Sequence, residues 1–226
     1  MVELVIDELI RSKRRSVSLT ISQEGRLIVR APLRLPLREI QKLIQDKRDW
    51  IIDKKRQAIE RVNQAQNFSV QHGGTIPFLG ETLKLVMIDK VRFITLREGE
   101  LLIPSVYQEK ANPMLKKWYQ NQAKALLNKR IAELSKLYGI PFQECRITSA
   151  RKRWGSCNSK NNINLTWRLI MANQRAVDYV IVHELCHVIH KNHSSAFWHK
   201  VRDIMPDFAI HRKWLRDHAF ILDVLE

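Results

Sequence analysis

Two histidines four residues apart, His183 and His187, bracket an acidic residue in the string His183-Glu184-Leu185-Cys186-His187. On a helix they project from the same face, about 40° apart around the axis, so both can reach one metal ion. Glu184 is offset by one residue, which suits it to take a proton from a water on that ion rather than to chelate. Imidazole nitrogen suits zinc, and three protein ligands plus a water is the composition of a catalytic site. The third ligand expected is His193, six residues beyond His187, the separation found in HExxHxxGxxH proteins. Lys191 and Asn192 supply the turn that would bring it back.

His190 stands where that longer pattern has glycine, so a glycine-dependent left-handed turn is not assumed. His190 is also a rival ligand. On an uninterrupted helix it lies about 20° from His183 but about 10 Å along the axis, too far to close a compact site. His193 is therefore favoured, with His199 a weaker candidate. The flanking Val180, Ile181, Val182, Val188 and Ile189 mark a buried helix, where three unpaired histidines would be costly without a ligand.

A second segment with chemical capacity is Arg151-Lys152-Arg153-Trp154-Gly155-Ser156-Cys157. Arg151, Lys152 and Arg153 could hold phosphates and Trp154 could stack on a base. The plainer reading makes Trp154 a core anchor, Gly155 a turn residue, Cys157 a small buried hydrophobe and the basic residues a solvated rim. Arg151, Arg153 and Tyr179 are the candidate oxyanion donors by chemistry alone. Cys186 points off the ligand face and reads as packing, and Phe197 and Trp198 read as core residues fixing the turn that carries His193.

The elements that must position these groups can be read from periodicity. Residues 2–31 are strand-like, with a hairpin turning at Glu24 and Gly25, and residues 37–62 read as one long amphipathic helix. Residues 73–104 read as a small antiparallel sheet. Met114 to Leu137 reads as a second long helix, ended by Gly139 and Pro141. Short strands at 145–150 and 163–167 bracket a polar loop, and helices follow at 175–190, 197–204 and 210–222. The expected fold is α+β: a strand-rich N-terminal region with a long helix (1–107), then a mainly helical zincin-like catalytic domain (108–226).

At 226 residues, with 45% hydrophobic residues and only 7 glycines and 7 prolines, the chain can bury a core without staples. Three cysteines without a CxxC pair suggest neither a disulfide framework nor a thiolate zinc cluster. No run approaches the roughly 20 apolar residues of a membrane span, and the N-terminus has no small-residue cleavage site, so a cytoplasmic protein is expected. The net charge of +16 admits polyanionic partners such as nucleic acid or nucleotides, although the basic residues are spread along the chain.

HELCH, with NHSSAFW after it (Asn192 to Trp198) and RKRWGSC before it, resembles the YgjP-like metallopeptidase family. The likeness extends from SKRRSVSLTI and GRLIVRAP to MPDF and the closing RKWL. It implies a gluzincin or SprT-like catalytic domain, zinc on His183, His187 and His193, and Glu184 as catalytic acid and base. The resemblance leaves a peptide or a nucleoside triphosphate as substrate, since the YgjP group is also associated with pyrophosphatase activity towards UTP. In that alternative Arg151, Arg153 and Trp154 bind the substrate. A third class, a nucleic-acid-binding module with structural zinc, would usually have a fourth Cys or His ligand and no use for Glu184.

Overall fold

The computed structural model describes residues 4–22, 24–66, 68–223 and 225. The first residues of the strand-like reading begun at Val2 lie outside these. The chain forms two compact units, residues 1–66 and 67–226.

In the first unit β1 (Glu8–Ser12), β2 (Ser18–Ile21) and β3 (Leu27–Pro32) form a sheet of order β1-β3-β2. The hairpin of β2 and β3 is present, antiparallel from Ser18↔Arg30 to Ile21↔Leu27. Its turn passes through Gly25, whose φ of 80° suits glycine. β1 lies parallel to β3, because β2 intervenes in the chain and returns it to the starting direction. The single helix expected over 37–62 is instead two, α1 (Leu37–Asp46) and α2 (Arg48–Gln66), separated where Lys47 leaves helical geometry at φ −105°, ψ 16°. Ile40 and Ile44 before the break and Ile51 after it all pack with Leu27, Val29 and Ala31.

The second unit opens with β4 (Thr75–Phe78), β5 (Glu81–Ile88), β6 (Thr95–Arg97) and β7 (Glu100–Pro104), in the order β4-β5-β7-β6. The expectation of an antiparallel sheet needs correction, since β5 and β7 run parallel from Lys84↔Glu100 to Ile88↔Pro104. The β6–β7 hairpin docks on β5 through its second strand, and alternation of apolar residues does not encode which strand of a hairpin faces its neighbour.

A 28-residue helix, α3 (Ala111–Tyr138), presents Leu115, Tyr119, Ala123, Leu127, Ile131 and Leu134 as one buried stripe at helical spacing. Pro113 sits in its first turn, where a missing N–H costs nothing. Gly139, left-handed at φ 63°, ends it as expected. The boundary expected near residue 108 falls in a 3-10 turn, Ser105–Lys110, between β7 and α3. Both sides of that turn share one core: Leu83, Leu85, Leu101 and Ile103 pack in the same cluster as Leu115, Tyr119 and Leu127.

The remaining strands are β8 (Glu144–Thr148), β9 (Gly155–Cys157) and β10 (Asn162–Thr166), with β10 in the middle, parallel to β8 and antiparallel to β9. The polar loop expected between the two outer segments thus contains an edge strand. Helices α4 (Gln174–Ile189), α5 (Ser195–Ile204) and α6 (Phe208–Asp217) complete the unit. The fold is α+β, with three small sheets among the described residues and a mostly helical C-terminal region. No helix among the described residues is long and apolar enough to cross a membrane.

Candidate metal centre

Helix α4 is fixed before it reaches the site. Asn173 caps it, its side-chain oxygen accepting from the Ala176 N–H at 2.8 Å. One turn on, the buried Asp178 accepts two hydrogen bonds from Arg130 of α3, at 2.7 and 2.9 Å. Ala176, Val177, Val180, Ile181, Val182, Leu185 and Cys186 are all buried, so little of the helix circumference remains for solvent. The two histidines occupy that remaining face.

The Nε2 atom of His193 lies 3.1 Å from Nε2 of His183 and 3.1 Å from Nε2 of His187. Tetrahedral ligands about 2.0–2.1 Å from one ion stand about 3.3 Å apart, close to these two separations, and the ligand atoms of all three histidines lie within 4.8 Å of one another. Burial, and then the charges of His187, His193 and Arg212, push the His183 imidazole down to about 3. Burial also lowers His187. Both rings are therefore neutral near pH 7, the form that binds a metal. His187 Nδ1 donates to the His190 carbonyl at 2.9 Å, which leaves Nε2 as the lone-pair nitrogen.

His190 is thus no ligand in this arrangement. It ends α4 in extended geometry at φ −120°, ψ 104°, and its carbonyl orients His187, so the turn needs no left-handed glycine. His199 is also apart from the cluster, its ring bonded to the Ser195 carbonyl at 2.8 Å. Beyond His193 the Ser194 hydroxyl caps α5 by accepting from the Phe197 N–H. Phe197, fully buried, supports all three imidazoles, with ring centroids 4.9, 4.4 and 4.9 Å from those of His183, His187 and His193. Trp198 stacks on His193 at 5.5 Å.

Glu184 is 5% exposed, and burial pushes its carboxyl up to about 8, against a smaller lowering by Arg153. The carboxyl lies against the backbone of β9: a Cβ added at Gly155 would stand 2.6 Å from Oε1 and 2.9 Å from the carboxyl carbon. Gly155 is therefore a close-approach position within β9 and not the turn residue of the plainer reading. The loop before it is held at both ends by Thr166, whose N–H donates to the Trp154 carbonyl and whose hydroxyl donates to the Ala150 carbonyl.

Three clustered histidines, beside a buried glutamate on the helix that carries two of them, form a site that can hold a metal. The family model described as "YgjP-like, metallopeptidase domain" matches residues 15–218. The chain belongs to the YgjP-like family. Searches of curated proteins and of solved structures returned no match.

Next to the metal centre lies a cleft of about 320 Å³, walled by Trp154, Tyr179, Val180 and Leu215 and carrying Arg153, Arg212 and Arg216. Of the substrate-binding residues expected from sequence, Arg153 and Trp154 line this cleft, whereas Arg151 is exposed and lies outside its walls. Tyr179 reaches it, with burial raising its phenol to about 12. Arg212 and Arg216 were not anticipated. Their spacing of four places them on one face of α6, which was a readable signal, but nothing in the sequence aims that face at the histidines.

Proposed function

We propose that the chain is a zinc-dependent peptidase in which Glu184 activates the attacking water. The observation that carries this reading is the convergence of three imidazole nitrogens beside a buried, otherwise unpartnered glutamate oxygen, Oε2, among the described residues. When bound there, zinc supplies Lewis acidity to a water and to a scissile carbonyl. An adjacent cation also draws the Glu184 carboxyl back below its raised value, into the basic form. Glu184 accepts one proton from water as the water oxygen bonds to the carbonyl carbon. It then gives that proton to the leaving nitrogen as the C–N bond breaks, so one peptide and one water yield a carboxylic acid and an amine. We assign the donor to the developing oxyanion to Tyr179, which is supported by its position in the cleft wall beside His183.

A second reading, hydrolysis of a nucleoside triphosphate to release pyrophosphate, is favoured by Arg153 and Trp154, which line the same cleft. A guanidinium pairs with phosphate and an indole stacks on a base. The zinc-loaded protein, incubated separately with unfolded polypeptides and with a panel of nucleoside triphosphates, separates the two. Peptide cleavage abolished in Glu184→Gln supports the peptidase; pyrophosphate release without peptide cleavage overturns it.

A further inference from the structure

The arginines of the second unit differ in how they are neutralised. Arg130 meets Asp178 and Glu133, Arg146 meets Glu144, Arg175 meets Asp207 and Arg216 meets Asp217. Arg153 and Arg212 have no carboxylate within ion-pair distance among the described residues, although both line the cleft beside the metal centre. Arg212 is nevertheless held in place: its guanidinium carbon lies 4.7 Å over the Trp198 ring, and Trp198 stacks in turn on His193. The stack of guanidinium, indole and imidazole fixes a planar, fork-shaped cation at the edge of the metal site. Arg153, whose charge acts on the Glu184 carboxyl, lines the same cleft and comes from the loop that Thr166 clamps at both ends.

Arg153 has the Glu184 carboxylate for a neighbour, but a neutral peptide gives Arg212 nothing to pair with, and a metal dication on the histidines would add to the positive field. The missing counter-charge must come with the substrate. We propose that Arg212, with Arg153, forms a carboxylate subsite that selects peptides carrying an anionic group next to the scissile bond, a specificity that rests on the peptidase reading. A cleft of about 320 Å³ is at the lower end of ligand pockets, room for about one or two residues of a peptide. Its walls of Trp154, Val180 and Leu215 suit the aliphatic stem of an acidic side chain as well as they suit a terminal residue. The carboxylate therefore has two sources, an Asp or Glu side chain or the C-terminus.

The test uses the zinc-loaded full chain and matched peptides that differ at one position next to the cleaved bond, as Glu, Gln or Lys, each with a free or an amidated C-terminus. A charge-assisted pair made in the complex predicts about 10-fold or greater preference in kcat/KM for the anionic peptide over its neutral partner. Dependence on Glu against Gln identifies the side chain, and dependence on free acid against amide identifies the terminus. In Arg212→Gln the ratio falls towards one. Arg212→Glu, checked for zinc stoichiometry and for circular dichroism like that of the unaltered protein, shifts preference towards the Lys peptide. Equal cleavage of charged and neutral peptides overturns the subsite while leaving the peptidase reading intact. Cleavage of no peptide, with nucleoside triphosphates hydrolysed, overturns both.

Discussion

At Gly155 a single methyl group would meet the Glu184 carboxyl at 2.6 Å, a separation that real side chains do not tolerate, so one of the two must move. Gly155→Ala is expected to displace Glu184, the proposed general base, and lower kcat/KM by about 10²-fold, the scale of a misplaced catalytic group. Zinc stoichiometry, set by the histidines, should stay unchanged; steady-state kinetics beside metal analysis check both. Glu184 itself makes stability depend on pH. Its folded carboxyl titrates at about 8 against 4.5 for the ordinary group, so in metal-free protein it favours folding below about pH 4.5 and that contribution is lost as pH rises through 8. Glu184→Gln does not titrate. Urea unfolding of chelator-treated protein at about pH 5, 7 and 9 should show the variant gaining on the parent as pH rises, by on the order of a few kcal/mol at the alkaline end.

At the scale of elements, the clamp between α3 and α4 decides how rigidly the histidines are presented. Asp178 is buried and takes a fork of two hydrogen bonds from Arg130, which is about a third exposed. Asp178→Ala is expected to cost about 2–3 kcal/mol in denaturant unfolding, below the value for a wholly buried pair because water still reaches the guanidinium. Helix α4 was legible in the sequence to within a residue, because apolar flanks and the His-x-x-x-His spacing agree there. The parallel pairs β1–β3 and β5–β7 were not, since residue alternation gives faces and not partners. The break at Lys47 was equally silent, because Ile40, Ile44 and Ile51 keep a helix-like apolar rhythm through it. His190 shows a third limit: its role is played by a backbone carbonyl, which every residue type possesses.

For the whole molecule, the site lies entirely in the unit of residues 67–226, and its three histidines come from α4 and from the turn between α4 and α5. A metal there ties that turn to α4 and stabilises the folded state by mass action. At free zinc about 1,000-fold above its Kd the gain is about 4 kcal/mol. For a chain of this size each kcal/mol moves Tm by about 2–4 °C, so chelation should lower the thermal transition by roughly 8–16 °C, reversibly on adding zinc, as followed by calorimetry. The net charge of +16 leads the sequence reading to expect anionic partners. What composition could not give was its distribution, in which two arginines without carboxylate partners gather at one cleft while others are paired.

The central claim is that zinc sits on three imidazoles with a fourth position open to water and substrate. X-ray absorption at the zinc edge of the loaded protein tests it directly. The account predicts a first shell of three imidazole nitrogens and one oxygen, at about 2.0–2.2 Å. A sulfur scatterer at about 2.3 Å, or a fourth imidazole closing the shell, would contradict it, because a saturated ion leaves Glu184 no water to activate.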